Sequence, residues 1–148
     1  MSKLDQYRLS GAFVLYAISL ALPGLHLVDG NIVEGWRLLL TAWYGFLVLE
    51  FAWLANPLFL FGILQGYRNH PLSAGVCGVL ACLVGLLSYS SEIWIANHTR
   101  ISDLGTGFYV WMTAFVLLAS CLLPTLLSTR GQQGPPHEED DGDASVGG

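Results

Sequence analysis

Four long stretches of the chain carry almost no charged residues, and this feature limits the possible folds more than any other. The stretches cover residues 9–28, 38–67, 71–91 and 104–129, and the single charge inside them is Glu50. A helix needs about 20 apolar residues to cross a hydrocarbon core about 30 Å thick, and each stretch reaches that length. Only 11% of the residues are charged, which excludes an ordinary soluble domain, where about 25% are charged.

Continuous apolar stretches favour transmembrane helices, because barrel strands alternate apolar and polar residues in segments of about ten. We therefore expect an all-α membrane protein, a four-transmembrane-helix bundle with a disordered acidic C-terminal tail. The expected spans are about residues 9–28, 36–57, 71–91 and 106–128. They would form a four-helix transmembrane domain over residues 1–129, and the Gly-, Pro- and acid-rich residues 130–148 would form the tail.

The second stretch is too long for one straight span, because a helix over residues 38–67 would extend about 45 Å. Asn56 and Pro57 are the expected break or kink, since proline removes an N–H donor and disfavours helical geometry in the preceding residue. In one interpretation the span ends near Ala55 and residues 58–66 lie along the membrane surface. In the other, a single tilted helix kinks at the proline.

The first stretch allows a second interpretation, because Ser19-Leu20-Ala21 is an acceptable signal-peptide cleavage site behind basic residues. Cleavage there would leave three spans. The apolar stretch continues past this site to Val28, which favours a retained span.

The basic residues predict the orientation, since Lys and Arg are enriched in cytoplasmic loops. With four spans, one side would carry Lys3, Arg8, Arg68 and Arg130, and the other side Arg37 and Arg100. We therefore expect a multi-pass protein of the cell inner membrane with both termini in the cytoplasm.

Glu50 is the candidate intramembrane polar site, because an ionised side chain at mid-membrane costs at least about 2.5–3.5 kcal/mol. We expect it to be protonated, or to face water, an ion or a second protein. Tyr16 and Ser120 are expected near the same depth and able to hydrogen-bond to it. The site is then either a structural hydrogen bond that stabilises the bundle or a proton, cation or partner-binding site.

Small residues form a row on the third apolar stretch, at Ala74, Gly78, Cys82 and Gly85. Small faces allow helix backbones to approach closely within lipid. We expect this seam to pack within the chain, and a seam for a partner protein or a second copy is the alternative.

Motifs for chemistry are missing from the sequence. There is no glycine-rich phosphate loop, metalloprotease motif or kinase signature, so we expect no enzymatic activity and no cofactor. The cysteines and histidines lack the spacing of a metal site, so we expect no bound metal. No basic patch indicates nucleic-acid binding.

Two patches carry a family resemblance. They are Trp53-Leu54-Ala55-Asn56-Pro57-Leu58 and Gly107-Phe108-Tyr109-Val110-Trp111-Met112-Thr113. With the layout of the apolar stretches, they resemble small uncharacterised four-helix bacterial inner-membrane proteins, a group that implies a fold but no chemistry. The overall build is also similar to four-helix immunity proteins that protect bacteria from pore-forming toxins. Small multidrug transporters are similar too, but carry their glutamate in the first helix.

These observations predict a protein that acts by intramembrane protein-protein interaction, as an accessory subunit or an immunity-type protein. Its partners would be the lipid bilayer and another membrane protein or a second copy of itself. The alternative is a small oligomeric transporter or ion channel that uses Glu50.

Overall fold

The structure is a computed structural model that describes residues 3–41, 44, 51–94 and 98–123. Within these ranges the chain is a mixture of helices and a small sheet. The helices are α1 (Lys3–Ala21), α2 (Gly35–Thr41), α3 (Ala55–Tyr67), α4 (Pro71–Gly85) and α5 (Thr106–Ala119). Two 3₁₀ segments, Ala52–Leu54 and Leu86–Ser90, precede α3 and extend α4. The strands are β1 (Pro23–Leu27), β2 (Ile32–Glu34), β3 (Ile93–Trp94) and β4 (Thr99–Leu104).

The all-α, four-transmembrane-helix bundle expected from the sequence is wrong. The first apolar stretch turns into a strand after Ala21, because Pro23 lacks the N–H that a continuing helix needs. The second stretch is divided between α2 and α3 rather than forming one helix. Among the described residues, one helical segment, Pro71–Ser90, is long and apolar enough to cross a membrane by length and composition.

The sheet joins two hairpins that are distant in sequence. Its strands are all antiparallel in the order β2-β1-β4-β3, and the central pairing sets Leu25 against Leu104 and Leu27 against Ile101. The β1–β2 turn depends on Gly30, whose φ of 83° suits glycine. Asp29 supports the same turn by accepting the amide N–H of Asn31 through Oδ1 at 3.0 Å.

The helical core has an aromatic centre. The ring of Phe59 in α3 stacks on Tyr16 of α1, with centroids 4.7 Å apart, and tilts against Phe115 of α5, with centroids 5.2 Å apart. Phe59 and Phe115 are fully buried. Such ring pairs add to the free energy gained from apolar burial. A second, smaller cluster of buried side chains lies under the sheet and consists of Leu25, Leu27, Val33 and Trp94.

The start of α1 and the end of α5 lie together, at the end of the molecule away from the sheet. Arg8 Nη1 donates a hydrogen bond of 3.3 Å to the carbonyl oxygen of Ser120 and forms an ion pair of 3.6 Å with Asp5. A cation suits this position, because the last carbonyls of a helix carry partial negative charge. The end of α3 is also here, since Gly66 contacts Leu9.

Candidate functional site

Large apolar side chains are exposed along the outer faces of the helices. They are Phe13, Val14 and Ile18 of α1, Leu60, Phe61 and Leu64 of α3, Leu72, Val76, Val79, Leu80 and Leu83 of α4, and Val116 of α5. We call this set the outer apolar surface. Soluble monomers rarely expose a continuous apolar patch of more than a few hundred Å². Exposed apolar patches are typical of surfaces that contact lipid or a protein partner.

Five Ser and Thr hydroxyl groups in or next to the helical segments donate to the backbone of their own helices. Each donates to the carbonyl oxygen three or four residues earlier: Ser19 to Tyr16, Thr41 to Arg37, Ser90 to Leu87, Thr113 to Tyr109, and Ser120 to Leu117. The donor–acceptor distances are 2.6 to 2.8 Å. This arrangement suits an environment without water, where an unpaired hydroxyl is costly.

Asn56 is the centre of a buried polar cluster between three helices. Its Oδ1 accepts one hydrogen bond from the Tyr16 hydroxyl and one from the Trp111 indole N–H, each 3.0 Å long. Its Nδ2 donates to the Trp53 carbonyl oxygen at 3.1 Å. Asn56 is 8% exposed, so these bonds offset the cost of removing its amide from water. The cluster thereby joins α1, α3 and α5 at one level.

Asn56 also lines a cavity between the helices and the sheet. The cavity has a volume of about 120 Å³. Its walls are mostly apolar and include Leu25, Leu38, Leu104, Phe108 and the indoles of Trp53, Trp94 and Trp111. A mainly apolar cavity with a few polar groups is typical of small-molecule sites.

A more polar groove next to the sheet shares part of its lining with the cavity. Ser88, Ser91, Ile101 and Leu104 line both spaces. The groove has a volume of about 440 Å³, and its charged side chains are Glu92, Arg100 and Asp103. These shared residues form the junction between the cavity and the groove.

The predicted polar site is only partly described by the structure. Glu50 lies outside the described residues, as do residues 130–148, expected to form the tail. Tyr16 donates to Asn56, which also contacts Trp111 in the first half of α5. Ser120 lies near Arg8, after the last residue of α5. The structure therefore does not bring Tyr16 and Ser120 together.

The sequence prediction missed the role of Asn56 as a hydrogen-bond acceptor and singled it out only for a kink. Asn56 and Pro57 lie in the first turn of α3, which begins at Ala55. Proline is tolerated there, because the first N–H groups of a helix have no partner within it. The available signal was an amide side chain inside an apolar segment, since such a group requires partners when buried.

The small residues of the predicted seam face other helices of the same chain. A Cβ added at Gly78 would lie 2.4 Å from the Ala119 amide nitrogen of α5, and one added at Gly85 would lie 2.9 Å from the Met112 sulfur. Ala74 is fully buried, and its carbonyl oxygen faces Gly62 of α3. Cys82 is half-buried beside the helical core.

No protein-family model, curated protein or solved structure matches this chain. The cavity, the Asn56 cluster and the outer apolar surface are therefore the basis for the functional proposals.

Proposed function

We propose that this protein is embedded in the cell inner membrane and acts by binding another membrane protein, as an accessory subunit or immunity-type protein does. The observation that carries the proposal is the outer apolar surface, which extends over α1, α3, α4 and α5. Lipid would cover most of this surface, since a helix that is apolar on its outer face loses nothing by facing hydrocarbon.

The depth of the helices supports this placement. The segment Pro71–Ser90 has the length and composition for a membrane span. Because α3 and α5 both pack along α4, their exposed apolar side chains lie at a similar depth. The hydroxyl groups bonded within their own helices agree with a water-poor environment at that depth.

The charges support a cytoplasmic position for the end of the molecule away from the sheet. Arg8 lies at that end beside Ser120, and Arg68 follows α3 there. Arg37 follows β2, and Arg100 belongs to β4, so both lie near the sheet. Arginine near the cytoplasmic ends of membrane helices is the usual arrangement. The sheet would then face away from the cytoplasm.

A protein partner is supported by apolar side chains on the sheet, beyond the helical body. Val28 is 67% exposed and Ile32 is 51% exposed, on either side of the β1–β2 turn. We call this pair the hairpin tip. If the helices define the depth of the membrane, the hairpin tip lies outside the lipid chains. A partner protein would cover it there, since exposed apolar patches mark interaction sites.

Membrane placement can be tested with two matched substitutions. Val79→Lys puts a charge near the middle of α4, where insertion costs about 2.5–3.5 kcal/mol. Val28→Lys makes the same change at the hairpin tip. We expect wild type and Val28→Lys to resist alkaline carbonate extraction and Val79→Lys to lose most of that resistance. Release of the wild-type chain by carbonate would contradict the proposal.

Binding can be tested by native mass spectrometry of the particle extracted from its own membrane in nanodiscs. We expect a second subunit at fixed stoichiometry with the wild-type chain and its loss with Val28→Lys. A particle that contains this chain alone, or copies of it, would contradict the accessory role. Proton or cation flux in vesicles, measured for wild type and Glu50→Gln, would then test the transporter alternative.

A further inference from the structure

We propose that the cavity beneath the sheet binds a compact apolar group, about the size of a six-membered ring, that carries a hydrogen-bond acceptor. The walls are mainly apolar, and the volume of about 120 Å³ is close to the ~150 Å³ of an engineered protein cavity that binds benzene. Neither residue of the hairpin tip, at which a protein partner is proposed, lines this cavity, although Val28 lines the neighbouring groove.

The hydrogen-bond acceptor on the proposed ligand follows from the donors of the Asn56 side chain. A side-chain amide has two N–H donors and an oxygen that accepts two hydrogen bonds. Tyr16 and Trp111 occupy the oxygen, and Trp53 accepts one N–H. The second N–H has no acceptor among the residues that the structure describes. Because Asn56 is more than nine-tenths buried and lines the cavity, a ligand carbonyl or ether oxygen would satisfy this donor.

The apolar part of the ligand is defined by the walls. Aromatic rings from Trp53, Trp94, Phe108 and Trp111 line the cavity together with leucine side chains. Such walls favour a ring or a branched alkyl group and disfavour a charged one, which would lose its hydration without gaining a counter-charge. The proposed ligand class is therefore a small cyclic ketone, ester or ether, or a larger molecule that ends in such a group.

The route of entry follows from the junction with the groove. Ser88, Ser91, Ile101 and Leu104 border both spaces. A ligand can enter from the sheet side and leave any polar extension in the groove, among Glu92, Arg100 and Asp103. Leu104 is an apolar residue of this junction, so its enlargement would reduce the cavity without removing a side-chain hydrogen bond.

The test uses two probes of similar shape, cyclohexanone and methylcyclohexane, with the full chain in nanodiscs. Binding is followed through the indole N–H signals of Trp53, Trp94 and Trp111 in ¹⁵N-edited NMR spectra. Trp36, which is exposed and does not line the cavity, reports effects of the probe that do not depend on the cavity. We expect saturable shifts of the cavity indoles. Relative to each probe's partition from water into lipid, cyclohexanone should bind about three- to tenfold more tightly, because one hydrogen bond then distinguishes the probes.

Two variants complete the test. Leu104→Phe should weaken both probes by about tenfold or more, because the larger ring occupies cavity volume. Leu87→Phe, the same substitution at an exposed position outside the cavity, should bind like the wild type. Asn56→Leu should remove the preference for cyclohexanone where it folds. Non-saturable shifts shared with Trp36, equal binding of the two probes relative to their partition into lipid, or unchanged binding by Leu104→Phe would each overturn the proposal.

Discussion

The two ends of the α4–α5 pair are packed in different ways. Toward the end of α5, Gly75 and Gly78 allow the helices to meet at backbone distance, and an added Cβ would lie 2.8 Å from the Leu122 nitrogen or 2.4 Å from the Ala119 nitrogen. Beyond the sheet end of α4, Ser88 and Ser91 line a cavity of about 120 Å³ together with Phe108 and Trp111 of α5. Dense packing holds the molecule together at one end, and unfilled volume leaves room for a ligand at the other.

The largest loss of stability is expected where Gly75 and Gly78 bring α4 and α5 into close contact. Gly78→Leu would force α4 and α5 apart, because the new side chain meets backbone rather than a movable side chain. We expect the free energy of unfolding to fall by about 3 kcal/mol, measured by chemical denaturation in detergent. Val79→Leu, an outward-facing neighbour, is the control and should change stability by less than about 0.5 kcal/mol. Equal effects of the two substitutions would contradict the close approach.

The next largest loss of stability is expected in the Asn56 cluster, beside the cavity. Asn56→Leu keeps a similar volume but leaves the Tyr16 hydroxyl and the Trp111 indole N–H without their acceptor. We expect a loss of about 2–3 kcal/mol in the same unfolding measurement, because buried unpaired donors carry a desolvation cost. Tyr16→Phe removes a single hydrogen bond and should cost about 1 kcal/mol. A neutral Asn56→Leu would show that the cluster is not buried as described.

The two ends can be compared directly with one substitution type. Leu118→Phe adds volume to the fully buried helical core and should cost about 1–3 kcal/mol, since overpacking forces strained rotamers. Leu104→Phe adds the same atoms beside the cavity and should cost less than about 1 kcal/mol, because space is available there. Thermal unfolding of both variants in one detergent measures the difference. A larger loss for Leu104→Phe would reverse the comparison.

The smallest change in stability is expected on the exposed face of α5, at Thr113. Thr113→Val removes an exposed hydroxyl whose hydrogen bond goes to the Tyr109 carbonyl of its own helix. Because that hydroxyl contributes no bond between helices, stability should change by no more than about 0.5 kcal/mol. A substantial loss in thermal unfolding would show that the Thr113 hydroxyl takes part in a contact beyond its own helix.

The sequence indicated where helices form more reliably than how the chain connects them. Helices α4 and α5 lie within charge-poor stretches, whereas α1 begins before one, at Lys3, and ends inside it. The strands were missed because short apolar segments such as Leu25–Val28 continue the hydrophobic pattern of the preceding helix, and periodicity alone does not separate the two. Pro23 and Asp29-Gly30 were the available signals for a change of structure.

The candidate site was predictable only in its composition. An amide at position 56 inside an apolar segment indicates a need for partners, but Tyr16 and Trp111 come from distant parts of the chain. Their convergence depends on how α1 and α5 pack around α3, which no local pattern contains. The cavity is equally a product of tertiary packing, since its walls come from the sheet and from several helices.

Because β1 pairs with β4, the sheet cannot be completed until late in synthesis of the chain. Leu25 pairs with Leu104, so the edge of β1 has no partner until the ribosome has made most of the chain. At about 5–20 residues per second, this interval lasts on the order of 4–16 seconds. During that time the β1–β2 hairpin presents an open strand edge, a known route to misassociation. Because α5 directly follows β4, closure of the sheet and docking of the last helix become one late event, and nascent chains arrested before it should be the most prone to aggregate.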